Sequence, residues 1–290
     1  MIPLKQMADF ARRNRYCNTI LVENGIATST NLDIYLSAKA DLPDGVYRAV
    51  DMAEYAITGA GIAPVDEIGP EPPDTGEDIA TIRIDCGALQ AVKHAMAKQD
   101  VRYYLNGFCI SEGEIVAADG HRLARHRNAY TGDLPHQVIV PADAVKFLPK
   151  KGMIECRITE RFAIFPGMAA KLIDGKFPDY NRVIPEAGQT LGRVPVDTIK
   201  KAQEIVKARK PGGTPALEFT PDSAVLHMKG EEPRRITDTT DFPWSAAFKL
   251  GYLSDIVKAA PAGTIRQSRG TDPMRVDSGD LTLVSMPTRV

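Results

Sequence analysis

The chain has 290 residues, of which 43% are hydrophobic and 25% charged, and its formal net charge is −1. That length is a prior of about two domains, and the balance is that of an ordinary folded protein. No apolar run approaches the roughly 18–20 residues of a membrane span, and near-zero charge argues against a protein that simply coats phosphates, so any nucleic-acid surface has to be segregated onto one face.

In chain order, PLKQMADFARRNRY predicts a helix, CNTILVENG, IATSTNLDIYLSA and GVYRAV predict strands, and DMAEYAITG predicts a second helix. Residues 61–79, GIAPVDEIGPEPPDTGEDI, are rich in proline and acid and read as an extended, solvated linker. TIRID then alternates as a strand should. Asp85 is placed to cap a helix over 86–99 with Leu89, Val92 and Met96 on one face. Strands follow in VRYYLNGFCIS and in EIVAADGHRLARHR, which holds an Asp-Gly turn. Next come QVIVP, a short helix in ADAVKFLPK, and strands in MIECRIT, RFAIFPG and AAKLI. This is a strand-helix-strand-strand-strand unit given twice.

The loop PEAGQTLG (185–192) separates a last segment with the same plan. RVPVD leads to the helix TIKKAQEIVKARK and the strands PALEFTP, AVLHMKG and EPRRITDTT. WSAAFKL leads to the helix GYLSDIVKAAP and the strands TIRQSRG, DPMRVDSG and LTLVSMP. The expected fold class is α+β, with internally duplicated units and helices on one side of antiparallel sheets. The expected division is 1–60 (a half domain), the linker 61–79, and domains 80–185 and 186–290.

No catalytic constellation emerges. Asp74-Thr75-Gly76 has the tripeptide of aspartic proteases, but it sits in a polar linker without a paired carboxylate. His121-Arg122 lacks the following Asp and the Gly-rich loop of a kinase, and neither GxxxxGK[ST] nor GxGxxG occurs. The histidines (His94, His121, His126, His136, His227) form no HxH and no helical i,i+4 pair. The cysteines (Cys17, Cys86, Cys109, Cys156) form no CxxC pair, which suits a reducing cytoplasm. No catalytic residue, metal site or cofactor is expected. MIPLKQMADFARRNR has no apolar core and does not read as a signal peptide, so the expected location is cytoplasmic, without a membrane partner.

The helices lean basic. On the 197–210 helix, Ile199, Ala202, Ile205 and Val206 form the apolar stripe, while Lys200, Lys201 and Lys207 lie off it and Arg209 and Lys210 extend its end. On the 86–99 helix Gln90, Lys93, His94 and Lys98 lie away from the core, and the first helix ends in Arg12, Arg13 and Arg15. Such a surface meets phosphates without reading bases.

QDVRYYLNG (99–107), AADGHRLA (117–124), LIDGKFPDYNRVIP (172–185) and VSMPTRV (284–290) closely resemble, in order and spacing, bacterial DNA polymerase III β subunits, the sliding clamps. The similarity covers 80–290 as the family's second and third domains and 1–60 as part of a truncated first. The resemblance implies a DNA-clamp fold and a non-catalytic processivity factor. It also implies a homo-oligomer that encircles or cradles duplex DNA irrespective of sequence, a clamp loader, and polymerase and other partners with clamp-binding motifs. Their peptides would enter a pocket of Leu105, Ala118, Gly120, His121, Arg122, Leu123, Pro178, Arg182, Val183, Pro273, Val284, Met286, Pro287 and Arg289, with apolar residues as floor and arginines at the rim. The inner-surface positions implied are Gln99, Arg102 and Tyr103, with Tyr104 beside it in a strand. Ala118 and Thr288 depart from the family's usual Thr and Met. With half of the first domain absent, the alternative is a clamp-like module that binds motif peptides without encircling DNA. Arg125, His126 and Arg127 read as a solvated strand end.

Overall fold

The structure, a computed structural model, describes residues 2–14, 17–186 and 188–290. It divides into two compact units, one of Met1–Gly87, Ile110–Glu112 and Tyr130–Gly175, the other of Ala88–Cys109, Gly113–Ala129 and Lys176–Val290. The 80–185 segment contributes to both.

In the first unit, α1 (Leu4–Arg12) buries Met7, Ala8 and Ala11, one stripe at helical spacing. β1 (Thr19–Glu23), β2 (Ile26–Thr30), β3 (Ile34–Lys39) and β4 (Gly45–Arg48) follow. The predicted single strand IATSTNLDIYLSA is two strands. Asn31 Oδ1 accepts the amides of Asp33 (3.2 Å) and Ile34 (2.7 Å), and this side-chain bond turns the chain. α2 (Ala49–Thr58) packs on α1 and stops at Gly59, whose φ of 69° is a left-handed cap. β5 (Asp78–Asp85) ends at Asp85, which accepts the Gly87 amide at 2.7 Å and starts α3 (Cys86–Val92), as its position in the sequence predicts.

The expected helix 86–99 is shorter than predicted. A 3-10 turn, Lys93–Ala95, closes it, so Lys98 and Gln99 lie beyond its end. VRYYLNGFCIS is not one strand either: Tyr103–Leu105 forms a 3-10 turn and only β6 (Gly107–Ser111) is extended. β7 (Glu114–Ala118), β8 (Arg122–His126), the unforeseen β9 (Tyr130–Thr131) and β10 (Val138–Pro141) come next. ADAVKFLPK is a 3-10 helix over Ala142–Phe147. β11 (Met153–Thr159), β12 (Phe162–Phe165) and β13 (Met168–Lys171) complete the first unit's strands. Its sheet runs β4-β1-β2-β3-β13-β12-β11-β5-β9.

In the second unit, β14 (Gln189–Arg193) starts inside the stretch predicted as a loop. α4 (Val196–Arg209), β15 (Ala216–Phe219), β16 (Ala224–His227), β17 (Arg234–Thr237), β18 (Ala246–Lys249), α5 (Leu250–Ala259), β19 (Thr264–Gln267), β20 (Met274–Ser278) and β21 (Leu281–Ser285) follow the duplicated plan. The strand orders are β6-β7-β8-β21-β20-β19-β14 and β17-β16-β15-β18. On α4, Ile199 and Ala202 are buried and Ile205 and Val206 half-buried, while α5 packs against it.

The proline-rich segment is largely exposed, as its composition predicts, but it is anchored at two points. The Val65 amide donates to Val46 O in β4 at 2.7 Å, and Thr19 Oγ1 donates to Ile68 O at 3.2 Å. The same contact recurs in β10, where Ile139 O accepts from Ile173 (2.9 Å), and in β18, where Ala247 O accepts from Thr288 (2.8 Å). Each time, the departing chain binds the second residue of an edge strand. Between α2 and Val65 the three strands found after α5 have no counterpart, yet the exit contact is kept. Val65→Pro removes this donor and should lower stability by about 1 kcal/mol, read by urea unfolding. An unchanged midpoint would mean that the segment is only a tether.

Candidate functional site

The second unit gathers three stretches that are far apart in sequence. β8 and β21 pair antiparallel with Leu123 opposite Val284 and Arg122 opposite Ser285. The Met286 amide continues the ladder to His121 O at 2.8 Å. This sets 118–123 beside 284–289. Tyr180 Oη donates to Glu114 Oε2 at 2.7 Å and Arg125 to Asn181 Oδ1 at 3.4 Å, which ties the 178–183 segment to β7 and β8. Arg275 donates to Pro185 O at 3.0 Å and holds the same segment to β20. Arg125, expected at a solvated strand end, is instead a half-buried brace, because Glu114 (3.8 Å) and Asn181 lie across from it. His126 Nδ1 donates to Arg127 O at 2.7 Å.

Asp119 builds the turn at the centre. Its Oδ1 accepts the amides of His121 (2.9 Å) and Arg122 (3.0 Å), and its Oδ2 accepts Arg122 Nε at 2.9 Å. Gly120 has φ of 85°, and a Cβ there would lie 2.6 Å from the Arg102 guanidinium. The conformation favours glycine, and any Cβ there would also displace the Arg102 guanidinium. Arg102 is bidentate to Asp100 (3.0 and 2.8 Å) and also donates to Asp119 O at 3.1 Å. The hydrogen bond from Arg102 holds the Asp100 carboxyl down to about 2.

Arg122 is half-buried and held from several sides. It bridges Asp119 and Asp255 (2.7 Å) and lies 4.5 Å over the Tyr252 ring. Burial, then the Asp119 charge, push the Tyr252 phenol up. Burial, then Arg122, push the His94 imidazole down. Asp119, Tyr252 and Asp255 are the residues that sequence reasoning missed. Asp119 sat in the AADGHRLA motif, whereas Tyr252 and Asp255 are ordinary residues of an amphipathic helix and carry no local signal.

The surface these braces present is partly apolar. Met286 (42%), Val183 (56%) and Val290 (60%) are exposed, as are Pro178, His121, Arg182 and Arg289. Ala118, Pro273 and Pro287 are half-buried, and Leu105, Leu123 and Val284 are buried beneath. Truncating Leu123 would therefore cost about 2–5 kcal/mol of stability.

The basic positions are more scattered. Lys93, Lys98 and Arg102 are exposed in the second unit, as are the uncharged Gln99 and Tyr103. On α4, Lys200, Lys207 and Lys210 are exposed, while Lys201 donates to Ile236 O (3.1 Å) and Arg209 pairs with Glu231 (3.6 Å). In the first unit Arg12 pairs with Asp9 at 3.2 Å and Arg13 is exposed, while Arg15 lies outside the described residues. Among the described residues no group of three or more His, Cys, Asp and Glu could hold a metal ion, and no helix is long and apolar enough to cross a membrane.

The fold is that of the bacterial sliding clamps. The DNA polymerase III subunit beta of Pseudomonas aeruginosa superposes with a TM-score of 0.76 at 21% identity, covering 99% of this chain and 97% of that one. The beta subunit of Thermotoga maritima gives 0.75 at 18%, with the same coverage. Residues 86–179 match the family model of the DNA polymerase III beta subunit, central domain. The beta sliding clamp of Escherichia coli K12 is 31% identical over 203 residues, taking in 61% of this chain and 54% of that protein. That of Proteus mirabilis is 35% identical over 192 residues, 58% and 52%. The chain is thus similar to the bacterial beta sliding clamps in fold, and in sequence over 61% of its length. It spans about half the length of the curated relatives it matches.

Two outcomes are expected from this geometry. Gly120→Ala should destabilise the turn by about 1–2 kcal/mol, the cost of a left-handed L-residue, and Arg102→Ala should relieve part of that loss in a double-mutant cycle. The Asp100 carboxyl should titrate near 2 by NMR. Because its folded value is depressed, its contribution is present above the ordinary carboxylate range and is lost as pH falls through about 2. A midpoint in the ordinary carboxylate range would show that the Arg102 contact is not made in solution.

Proposed function

We propose that the chain is a sliding clamp, a non-catalytic processivity factor that holds polymerase and other replication or repair proteins on duplex DNA. The observation that carries this reading is the convergence of 118–123, 178–183 and 284–289 in one unit, with Met286 and Val183 exposed over buried Leu123 and Val284. An apolar floor with polar groups at its edge suits a short peptide with large apolar anchors. Tethering raises the effective concentration of the bound enzyme at the primer end without any chemistry. The domains proposed are a half domain over 1–60, the connector 61–79, and domains 80–185 and 186–290. The partners proposed are duplex DNA, motif-bearing polymerases, a clamp loader and further copies of the chain, in the cytoplasm.

A second reading is favoured by the missing strands between α2 and Val65: a clamp-like module that binds motif peptides without encircling DNA. Mass in solution, with and without nicked circular DNA, separates the two. A closed oligomer retained on the circle supports the clamp, and a monomer that is not retained supports the module.

Met286→Ala with Val183→Ala, both at exposed positions, should abolish peptide binding and leave the unfolding midpoint unchanged. Retained affinity would misplace the pocket. Lys200→Glu with Lys207→Glu should weaken DNA association and reduce its salt slope by about 2, one per lost phosphate contact. An unchanged slope would remove α4 from the DNA surface.

A further inference from the structure

Tyr252 and Asp255 stand three residues apart on α5, so the helix sets them on one face, a turn apart. Both meet the same guanidinium. Arg122 Cζ lies 4.5 Å from the centre of the Tyr252 ring, Nη1 donates to Asp255 Oδ2 at 2.7 Å, and Nε donates to Asp119 Oδ2 at 2.9 Å. A planar cation tied to two carboxylates and covering an aromatic ring has little rotation left. The Arg122 side chain is 15% exposed and that of Asp255 26%, so water competes weakly for this bond.

From Arg122 the contacts run on to the candidate pocket. Asp119, held at Oδ2 by Arg122, accepts the amides of His121 and Arg122 at Oδ1. His121 O accepts the Met286 amide at 2.8 Å, and Arg122 pairs with Ser285 beside it. His121 and Met286 are both exposed there. Asp255 thus stands at the far end of a series of short bonds whose near end is the apolar surface. The charges on α5 make its carboxylate hard to replace. Lys258 donates to Asp255 Oδ1 at 3.2 Å and Lys249 lies 5.3 Å from the Tyr252 ring, so Arg122, Lys249 and Lys258 gather against Asp119 and Asp255. Without Asp255, one carboxylate would face three cations. The seat of α5 does not depend on it, since Leu250, Leu253 and Ile256 are the residues the helix buries.

We propose that Asp255 is a positioning residue for the candidate peptide pocket: from α5 it fixes Arg122, and through Arg122 the 119–121 turn and Met286, in the arrangement a partner peptide meets. This rests on the reading of 118–123 and 284–289 as a peptide site. The role asks for no contact between Asp255 and the peptide. It is one of preorganisation, because a turn that is already set loses less freedom on binding.

The test is calorimetric titration of the full chain and its variants, each well below its unfolding midpoint, with a pentapeptide bearing an amino-terminal Gln and a carboxy-terminal Leu-Phe. Asp255→Asn keeps the shape of the side chain and should bind about tenfold more weakly, the scale of one charge-assisted hydrogen bond. Asp255→Glu keeps the charge and should recover most of that loss. Lys258→Ala removes only the exposed partner of Asp255 and should bind as the unaltered chain does. Hydrogen exchange at the Met286 amide should quicken in Asp255→Asn while the rest of the β8–β21 ladder keeps its protection, which a general loss of stability would not produce. Equal affinity for Asp255→Asn and the unaltered chain overturns the role and leaves the pocket standing. So does an Asp255→Glu that binds no better than Asp255→Asn, or exchange that quickens along the whole ladder. No binding by the unaltered chain overturns the pocket, and this role with it.

Discussion

The antiparallel pairing of β8 with β21 is the contact on which the site depends. It joins residues more than half the chain apart, and five consecutive pairs, from Leu281 with His126 to Ser285 with Arg122, set its register. A one-residue slip would turn Leu123 and Val284 to the opposite face. Everything else at the site hangs from this ladder. Asp119 shapes the turn that enters β8, the Met286 amide extends the ladder past β21, and Arg125 braces the 178–183 segment against the same strand. The apolar surface is a product of strand register first and of side-chain choice second.

Electrostatics at the site serve position. The cations that drew attention in the sequence, Arg102, Arg122 and Arg125, are all consumed by local acceptors. Arg122 alone meets two carboxylates and an aromatic face. Pairing of this kind in a half-buried place is costly to break, because a lost partner leaves the other charge without water. These arginines therefore form a frame, and Met286, Val183, Pro178, Arg182 and Arg289 are exposed at the surface it carries.

Much of the fold was legible. The duplicated order, the Asp85 cap and the apolar stripe of α4 follow from alternation, capping chemistry and helical spacing, which are local signals. The misread elements are those where a side chain captures the backbone. Asn31 cuts one strand into two, and the Asp100–Arg102 pair precedes a 3-10 turn at Tyr103 where a strand was expected. The candidate pocket residues were reached through motif resemblance, and the structure sets 118–123 beside 284–289 and ties 178–183 to β7 and β8. Their supports were not legible. Arg122 and Asp255 are 133 positions apart, and nothing near either one announces the other. The linker is as exposed as its composition implies, but its anchors, the Val65 amide on Val46 O and Thr19 Oγ1 on Ile68 O, carry no local signal in the sequence.

That anchored exit has a consequence for how such a molecule can change. In β4, β10 and β18 the chain leaves its unit from the same carbonyl, whether three strands come before it or none. Entry and departure are thus fixed at points that do not notice what lies between them. A block of three strands can be gained or lost as one piece while the neighbouring sheet keeps its register. The module of variation in this architecture is then a block of three strands, cut at the helix end and rejoined at the exit carbonyl.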